Sequence, residues 1–335
     1  MRGLTGANGH WKHARRGAGA AGAGPAWNMA GVAGMDETVD NGGAAGATRE
    51  NPVPLLEHVA PLSARFPVWF CDIWGVVHDG VRADEVSCEA LQRHRAAGGV
   101  VILVSNSPRP KPALLKQLDG LKVPRDSFDD VITSGDVTRA IIARHAGEKV
   151  FHLGPERDAH LREGLPVAFS EPEVAEVIMC SGLFDDRTEQ PEQYRAMLEK
   201  MARRRLPFVC ANPDLIVKHG DDILPCAGAL AAIYEELGGE VIMAGKPYPP
   251  IYEEALKKAE AAAGHGIDKR RILAIGDGMG TDMKGAATFG IAALFVAGGI
   301  SEGALDEHGV EALAQRIREE APGIDLVGVM RRLQW

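Results

Sequence analysis

Val68-Trp69-Phe70-Cys71 is apolar at every position and runs straight into a carboxylate at Asp72, after which the chain breaks at Gly75. So short a run, closed by turn residues, suits a strand buried on both faces of a parallel sheet. Similar runs recur at 100–104, 130–133, 149–154, 176–180, 207–211, 241–244, 271–275 and 292–296, the last strand expected. Stretches with helical spacing lie between them, at 85–98, 111–121, 137–145, 191–204, 227–237 and 250–263. Leu55, Leu56, Val59 and Leu62 predict one more short helix ahead of the first strand. Strand and helix alternating in this way predict the α/β class, a doubly wound, Rossmann-like parallel sheet.

At 335 residues the chain exceeds what a single core usually fills, so two domains are expected. Lys and Arg total 37 against 46 Asp and Glu, giving a net charge of −9. No basic domain is left to grip nucleic acid, and an anionic substrate would need positive charge concentrated locally. Cys71, Cys88, Cys180, Cys210 and Cys226 form no CxxC pair, which argues for buried thiols in a reducing, cytoplasmic setting. No apolar run approaches the roughly 20 residues needed to span a bilayer, so no membrane partner is expected. Residues 1–50 are rich in glycine and alanine and are expected to be a disordered leader, with Met29 or Met35 as an alternative start.

Polar groups close four of the predicted strands: Asp72, Ser105-Asn106, Lys246 after Gly245, and Asp277 with Asp282. Open α/β sheets bind ligands at the carboxyl ends of their strands. The set suits phosphoryl transfer to a carboxylate nucleophile, which divides one hard step into two. Asp72 and Asp277 fit the carboxylates of a Mg²⁺ site, while a serine hydroxyl and a lysine ammonium suit the phosphate oxygens. Two rival readings fail on spacing. Gly276-x-Gly278-x-Gly280 has Thr281 where a dinucleotide fingerprint continues, and 239–246 has Pro247 where a P-loop needs Ser or Thr. His78, His152 and His219 have no partner at metal-ligand spacing.

These four motifs, in this order and spread over about 54–305, resemble the haloacid dehalogenase (HAD) superfamily of hydrolases. The gap of 141 positions from Ser105 to Lys246 points to subfamily IIA, whose members carry a large α/β C2-type cap at that place. Asn212-Pro213-Asp214 and Pro225-Cys226-Ala227-Gly228 are similar to segments flanking the cap in pyridoxal-phosphate, phosphoglycolate and nucleotide phosphatases of this class. The resemblance implies a HAD core over 51–135 and 243–335, with an inserted cap over 136–242. It implies a Mg²⁺-dependent phosphatase acting on a small phosphorylated metabolite through an aspartyl-phosphate. Asp72, Ser105 and Lys246 would be catalytic, and Ser105, Asn106, Lys246 and Gly75 would hold the phosphate. Asp72, the Trp74 backbone carbonyl and Asp277 would hold the metal, with Asp282 orienting a bound water or Lys246. A homodimer through the cap is the expected assembly.

The chain departs from this pattern at one place. Phosphatases of the superfamily read Asp-x-Asp in the first motif, the second Asp protonating the leaving group; here the motif reads Asp72-Ile73-Trp74. An indole N–H donates a hydrogen bond but does not titrate. Either no acid stands there, or it has moved to His78 or Asp79, whose simpler role is an ordinary turn. Two alternatives follow: a phosphate-ligand binder or sensor with little turnover, or a metal-independent dehalogenase, which the acidic fourth motif disfavours. Glu156-Arg157-Asp158 and Asp185-Asp186 read as solvated loops placed where substrate contact is feasible.

Overall fold

The computed structural model describes residues 52–219, 222–298 and 304–335; the leader expected over 1–50 lies outside them. Strands β1 (Val68–Cys71), β2 (Val100–Ser105) and β3 (Asp130–Thr133) come first. They are followed by β4 (Lys149–Leu153), β5 (Ala168–Phe169), β6 (Val177–Cys180) and β7 (Phe208–Cys210). Next come β8 (Ile216–His219), β9 (Asp222–Pro225) and β10 (Val241–Met243). The last three are β11 (Ile272–Gly276), β12 (Ala292–Val296) and β13 (Asp325–Met330). The α-helices are α1 (Ala60–Arg65), α2 (Glu85–Ala96), α3 (Lys111–Gly120), α4 (Ser134–Ile142), α5 (Arg195–Arg203), α6 (Ala227–Glu236), α7 (Pro249–Ala263), α8 (Lys284–Phe289) and α9 (Ala304–Glu320).

The larger sheet is parallel throughout, in the order β13-β12-β11-β1-β2-β3. Successive side chains on a strand point to opposite faces, and β1 feeds one core from each. Val68 and Phe70 pack with Ile102, Ile272 and Ala274, whereas Trp69 and Cys71 pack with Val101, Leu103, Leu273 and Ile275. A large side chain removed from water contributes about 1.5–3 kcal/mol, so polar substitution at either face of β1 should be costly. Register fixes the site. Cys71 lies opposite both Leu103 and Ile275, so Asp72, Ser105 and Asp277 emerge from neighbouring strands at the same edge. The strand order turns at β1, which is where doubly wound sheets open a ligand crevice.

A second parallel sheet, in the order β10-β7-β6-β4-β5, carries its own apolar clusters, and β8 and β9 form a separate antiparallel pair. Its strands all fall between 149 and 243, inside the interval between β3 and β11.

Two local expectations are corrected, and two features of the topology were not anticipated. The helix expected from Leu55 to Leu62 instead starts at Ala60, and Leu55 forms a bridge to Val329. Pro61 explains the shift, because proline is tolerated in a first turn but removes a hydrogen bond later in a helix. The run at 292–296 is not the last strand: β13 follows at the sheet edge, and its Gly328 leaves room for the Leu56 side chain. The β8–β9 hairpin was not anticipated either. Finally, β10, which delivers Lys246, pairs with β7 in the second sheet and not with the sheet that carries Asp72. Among the described residues, no helix is long and apolar enough to cross a membrane.

Candidate active site

Asp72 sits one residue beyond β1, with its N–H donating to the Ile275 carbonyl at 2.8 Å. Its Oδ1 accepts from the Ile73 N–H at 2.7 Å and lies 2.6 Å from Lys246 Nζ. Lys246, 3% exposed, reaches Asp282 Oδ1 at 2.8 Å with the same ammonium. Burial alone would lower the Lys246 ammonium, but the carboxylates of Asp282 and Asp72 carry it well above its ordinary value. The ammonium beside the candidate nucleophile is therefore favoured in its charged form.

Asn106 does more than the sequence suggested. Its Oδ1 accepts from the Lys246 N–H at 2.6 Å, and its Nδ2 donates to the Lys246 carbonyl at 3.1 Å and to Asp214 Oδ1 at 2.9 Å. The side chain expected to hold phosphate is thus committed to joining the second motif to the third. Ser105, buried beside it, accepts from the Ser107 N–H at 3.2 Å.

Asp277 follows β11, and a turn of π-helix over Met279–Met283 then brings Asp282 back beneath it. Such turns inside helices are frequent at functional sites. Asp282 Oδ2 accepts from the Gly278 N–H at 3.2 Å. One carboxylate oxygen from each of Asp72, Asp277 and Asp282 lies within 4.8 Å of the others. Burial, and then the charges of Asp72 and Asp282, push the Asp277 carboxyl far up; burial and the Asp72 charge push Asp282 to about 7. Burial also raises Asp72, against the pull of Lys246. With all three ionised, the buried carboxylates would exceed the one ammonium by two negative charges, which a hard divalent cation would neutralise, so the residues fit Mg²⁺. Asp282 already serves Lys246 with one oxygen and a backbone N–H with the other, so Asp72 and Asp277 are the better placed ligands.

Gly75, expected at the phosphate, has its N–H committed to the His78 carbonyl at 2.9 Å. It has φ +86°, and a Cβ on it would fall 2.1 Å from Asp277 Oδ2. Trp74 lies on the cavity wall, edge-on to the His78 ring at a centroid distance of 5.2 Å, with Gly80 beneath its ring. His78 is buried, and its Nδ1 accepts from the Gly80 N–H at 3.1 Å; burial lowers its pKa to about 4. Asp79 is exposed and accepts from the N–H groups of Val81 and Arg82 at 2.8 Å each, which lowers its pKa. Both residues build the turn that carries Trp74, an arrangement that does not favour either as a relocated acid.

A cavity of about 1690 Å³ opens over Asp72, Ser105, Lys246 and Asp277 and extends to residues of the second sheet. On that far wall Arg157 pairs with Asp186, and Ser181, whose Oγ lies 3.0 Å from His152 Nε2, stands beside the buried Asp158. Asp186 and Arg157 therefore face the same space as Asp72, which their sequence positions alone left open. Asp214 had only a motif resemblance to mark it; its bond to Asn106 spans 108 residues of sequence.

This edge of carboxylates, serine and lysine on a doubly wound sheet defines a hydrolase of the haloacid dehalogenase type, and comparison with known proteins agrees. Residues 69–165 match the family model described as haloacid dehalogenase-like hydrolase, and residues 243–319 match a HAD-hydrolase-like model. A solved haloacid dehalogenase-like hydrolase from Brucella suis 1330 is 48% identical, with a TM-score of 0.71 over 74% of this chain and 94% of that one. The chain belongs to the haloacid dehalogenase-like hydrolase family. Ribonucleotide monophosphatase NagD of Escherichia coli K12 is 28% identical over 239 residues, 69% of this chain and 87% of that protein. Dihydroxyacetone phosphatase of Corynebacterium glutamicum strain R is 36% identical over 98 residues, which cover 29% of this chain and 34% of that protein.

Proposed function

We propose that the protein is a Mg²⁺-dependent phosphatase of small phosphorylated metabolites, acting through an aspartyl-phosphate on Asp72. The observation that carries this reading is the ammonium of Lys246 held against Asp72 Oδ1, beside two further buried carboxylates and Ser105 at one sheet edge. The named activities of NagD and the dihydroxyacetone phosphatase support it. Ser105 and Lys246 would bind two phosphate oxygens, and Asp72 would attack phosphorus along the line of the leaving bond. Asp72 and Asp277 would hold Mg²⁺, with the Trp74 carbonyl as a third ligand and Asp282 fixing Lys246. The metal, when bound, would neutralise phosphate charge as that attack proceeds. Asn106 positions Lys246 through both backbone groups.

Residues 136–242 would act as the cap, with Arg157 and Asp186 facing the leaving group and closure excluding water. The exposed apolar residues Leu215, Ile216 and Ile223 support a homodimer through this segment. Five buried, unpaired thiols support a cytoplasmic setting.

Turnover of a panel of phosphate esters with Mg²⁺, for wild type and Asp72→Asn, tests the reading. Release of phosphate by the wild type and its loss in the variant are expected. Trp74 in the usual acid position favours one rival, a phosphate-ligand binder with little turnover. Tight binding of phosphate esters without hydrolysis would establish that rival. Halide release that survives EDTA would establish a dehalogenase.

A further inference from the structure

We infer that Asp214 is the proton donor to the leaving group, the role that Trp74 cannot fill; the inference rests on the phosphatase reading above. Three independent features of the structure lead to this residue. Asp214 follows β7 of the second sheet, yet its Oδ1 accepts from Nδ2 of Asn106, the neighbour of Ser105 in the larger sheet, at 2.9 Å. It lines the same cavity as Asp72, Ser105 and Lys246. Its backbone is fixed: a Cβ at Gly228 would fall 2.2 Å from the Pro213 carbonyl and 2.5 Å from that of Asp214, so α6 packs directly against it. The Asn212 side chain also accepts from the Asp214 N–H at 3.1 Å. A carboxyl group held this way is aimed by the junction between the sheets, not left to swing.

Several other acidic groups of the cavity are committed elsewhere: Asp72 shares Lys246 with Asp282, Asp186 pairs with Arg157, Asp79 caps its own turn, and the buried Asp158 meets the Ser181 hydroxyl on the far wall. Burial raises the Asp214 carboxyl above the ordinary range, against the Asn106 hydrogen bond and the Lys246 charge, with Asp282 adding to the rise. That is the direction a general acid working near neutrality requires.

The chemistry balances without any further reactant. In the first step an Asp72 oxygen bonds to phosphorus, the bond from phosphorus to the ester oxygen breaks, and its electron pair stays on that oxygen. The oxygen takes the Asp214 proton and departs as the alcohol, leaving Asp214 as a carboxylate. In the second step a water oxygen bonds to phosphorus while Asp214 accepts one of its protons. The bond from phosphorus to Asp72 breaks, and hydrogen phosphate leaves with both carboxyl groups restored.

Asp214→Asn tests this, because the amide oxygen still accepts from Asn106 but carries no transferable proton. Single-turnover release of the leaving group is measured with Mg²⁺ for glycerol phosphate, whose alkoxide needs a proton, and for p-nitrophenyl phosphate, whose phenolate does not. Release from the alkyl ester is expected to fall about 10²–10⁴-fold, while the first-turnover burst of nitrophenolate stays within about threefold. A slow steady state after that burst is expected as well, since the second step has lost its base. Equal losses on both esters, or an unchanged alkyl rate, would overturn the inference. If the variant does not fold, the wild type decides alone. Single-turnover rates that vary little between the two esters support a proton donor, and an alkyl rate slower by the same 10²–10⁴ overturns it. A wild type that turns over p-nitrophenyl phosphate but not the alkyl ester refutes Asp214 alone. One that turns over neither refutes the phosphatase reading and the inference with it.

Discussion

Asp277 Oδ2 occupies the place where a side chain on Gly75 would begin, 2.1 Å from an ideal Cβ. The glycine after the first strand therefore makes room for a carboxylate delivered by β11, and its φ of +86° is one that other residues adopt only under strain. Gly75→Ala should displace Asp277 and weaken Mg²⁺ by about 10–100-fold, the usual range for groups that orient metal ligands. The test is a Mg²⁺ titration of activity, with far-UV circular dichroism to show that the sheet persists. Unchanged Mg²⁺ dependence would mean that Asp277 lies outside the metal site.

Lys246 should matter for folding as well as for turnover. It is the cation between Asp72 and Asp282, and removing one partner of a buried ion pair costs about 3–5 kcal/mol. Lys246→Met should abolish phosphate release and lower the urea midpoint in metal-free buffer. Added Mg²⁺ should recover part of the stability but none of the activity. Full activity in this variant would remove lysine from the mechanism.

Metal should stabilise the native state in proportion to its concentration. A ligand that binds only the folded chain adds about 2.7 kcal/mol at a hundredfold excess over its dissociation constant. The Tm should therefore rise with Mg²⁺ in the wild type, and the rise should shrink in Asp277→Asn. A Tm indifferent to both Mg²⁺ and EDTA would count against the site.

The buried histidines should contribute a loss of stability on mild acidification, opposed by the raised carboxyls of the site, which act in the other sense. Burial lowers His78, His94 and His152 to about 4, below the ordinary value of 6.5. Between those values the unfolded chain binds more protons than the folded one, so stability rises with pH there. The contribution is complete above pH 6.5 and is lost as pH falls toward 4, by about 1.4 kcal/mol per pH unit for a group such as His94. His94, which stacks on Trp69 at 3.7 Å and meets Ser63 Oγ at 2.7 Å, gives the cleanest check. Urea unfolding of the wild type and His94→Gln at pH 5 and pH 7 isolates the contribution: on going to pH 5 the wild type should lose more stability, or gain less, than the variant.

Asp79 should prove to be a turn residue. Its Oδ1 holds the N–H groups of Val81 and Arg82, and its carboxyl is displaced downward, away from the range of an acid catalyst. Asp79→Ala should leave glycerol phosphate turnover within about twofold while slightly lowering Tm, as expected for an exposed cap. Loss of alkyl turnover alone would place the proton donor in this turn.

The sequence by itself determined the class of fold and the residues that gather at the sheet edge. Strands buried on both faces must be apolar throughout, so a polar residue at the end of such a run is conspicuous, and Asp72, Ser105, Lys246 and Asp277 were legible for that reason. The tertiary structure alone decided how they are joined. Lys246 follows a strand of the second sheet, Asn106 clasps it across 140 residues, and Asp214 reaches the same asparagine across 108. Gly75, expected at the phosphate, gives its N–H to the His78 carbonyl and leaves the space that Asp277 fills. β13 escaped notice because Gly328 interrupts its apolar pattern, and only the packing of Leu56 explains that glycine. Periodicity and turn chemistry are local properties of a chain and can be read along it. Which buried amide meets which distant carbonyl or carboxylate depends on how two sheets pack, and no local pattern records it.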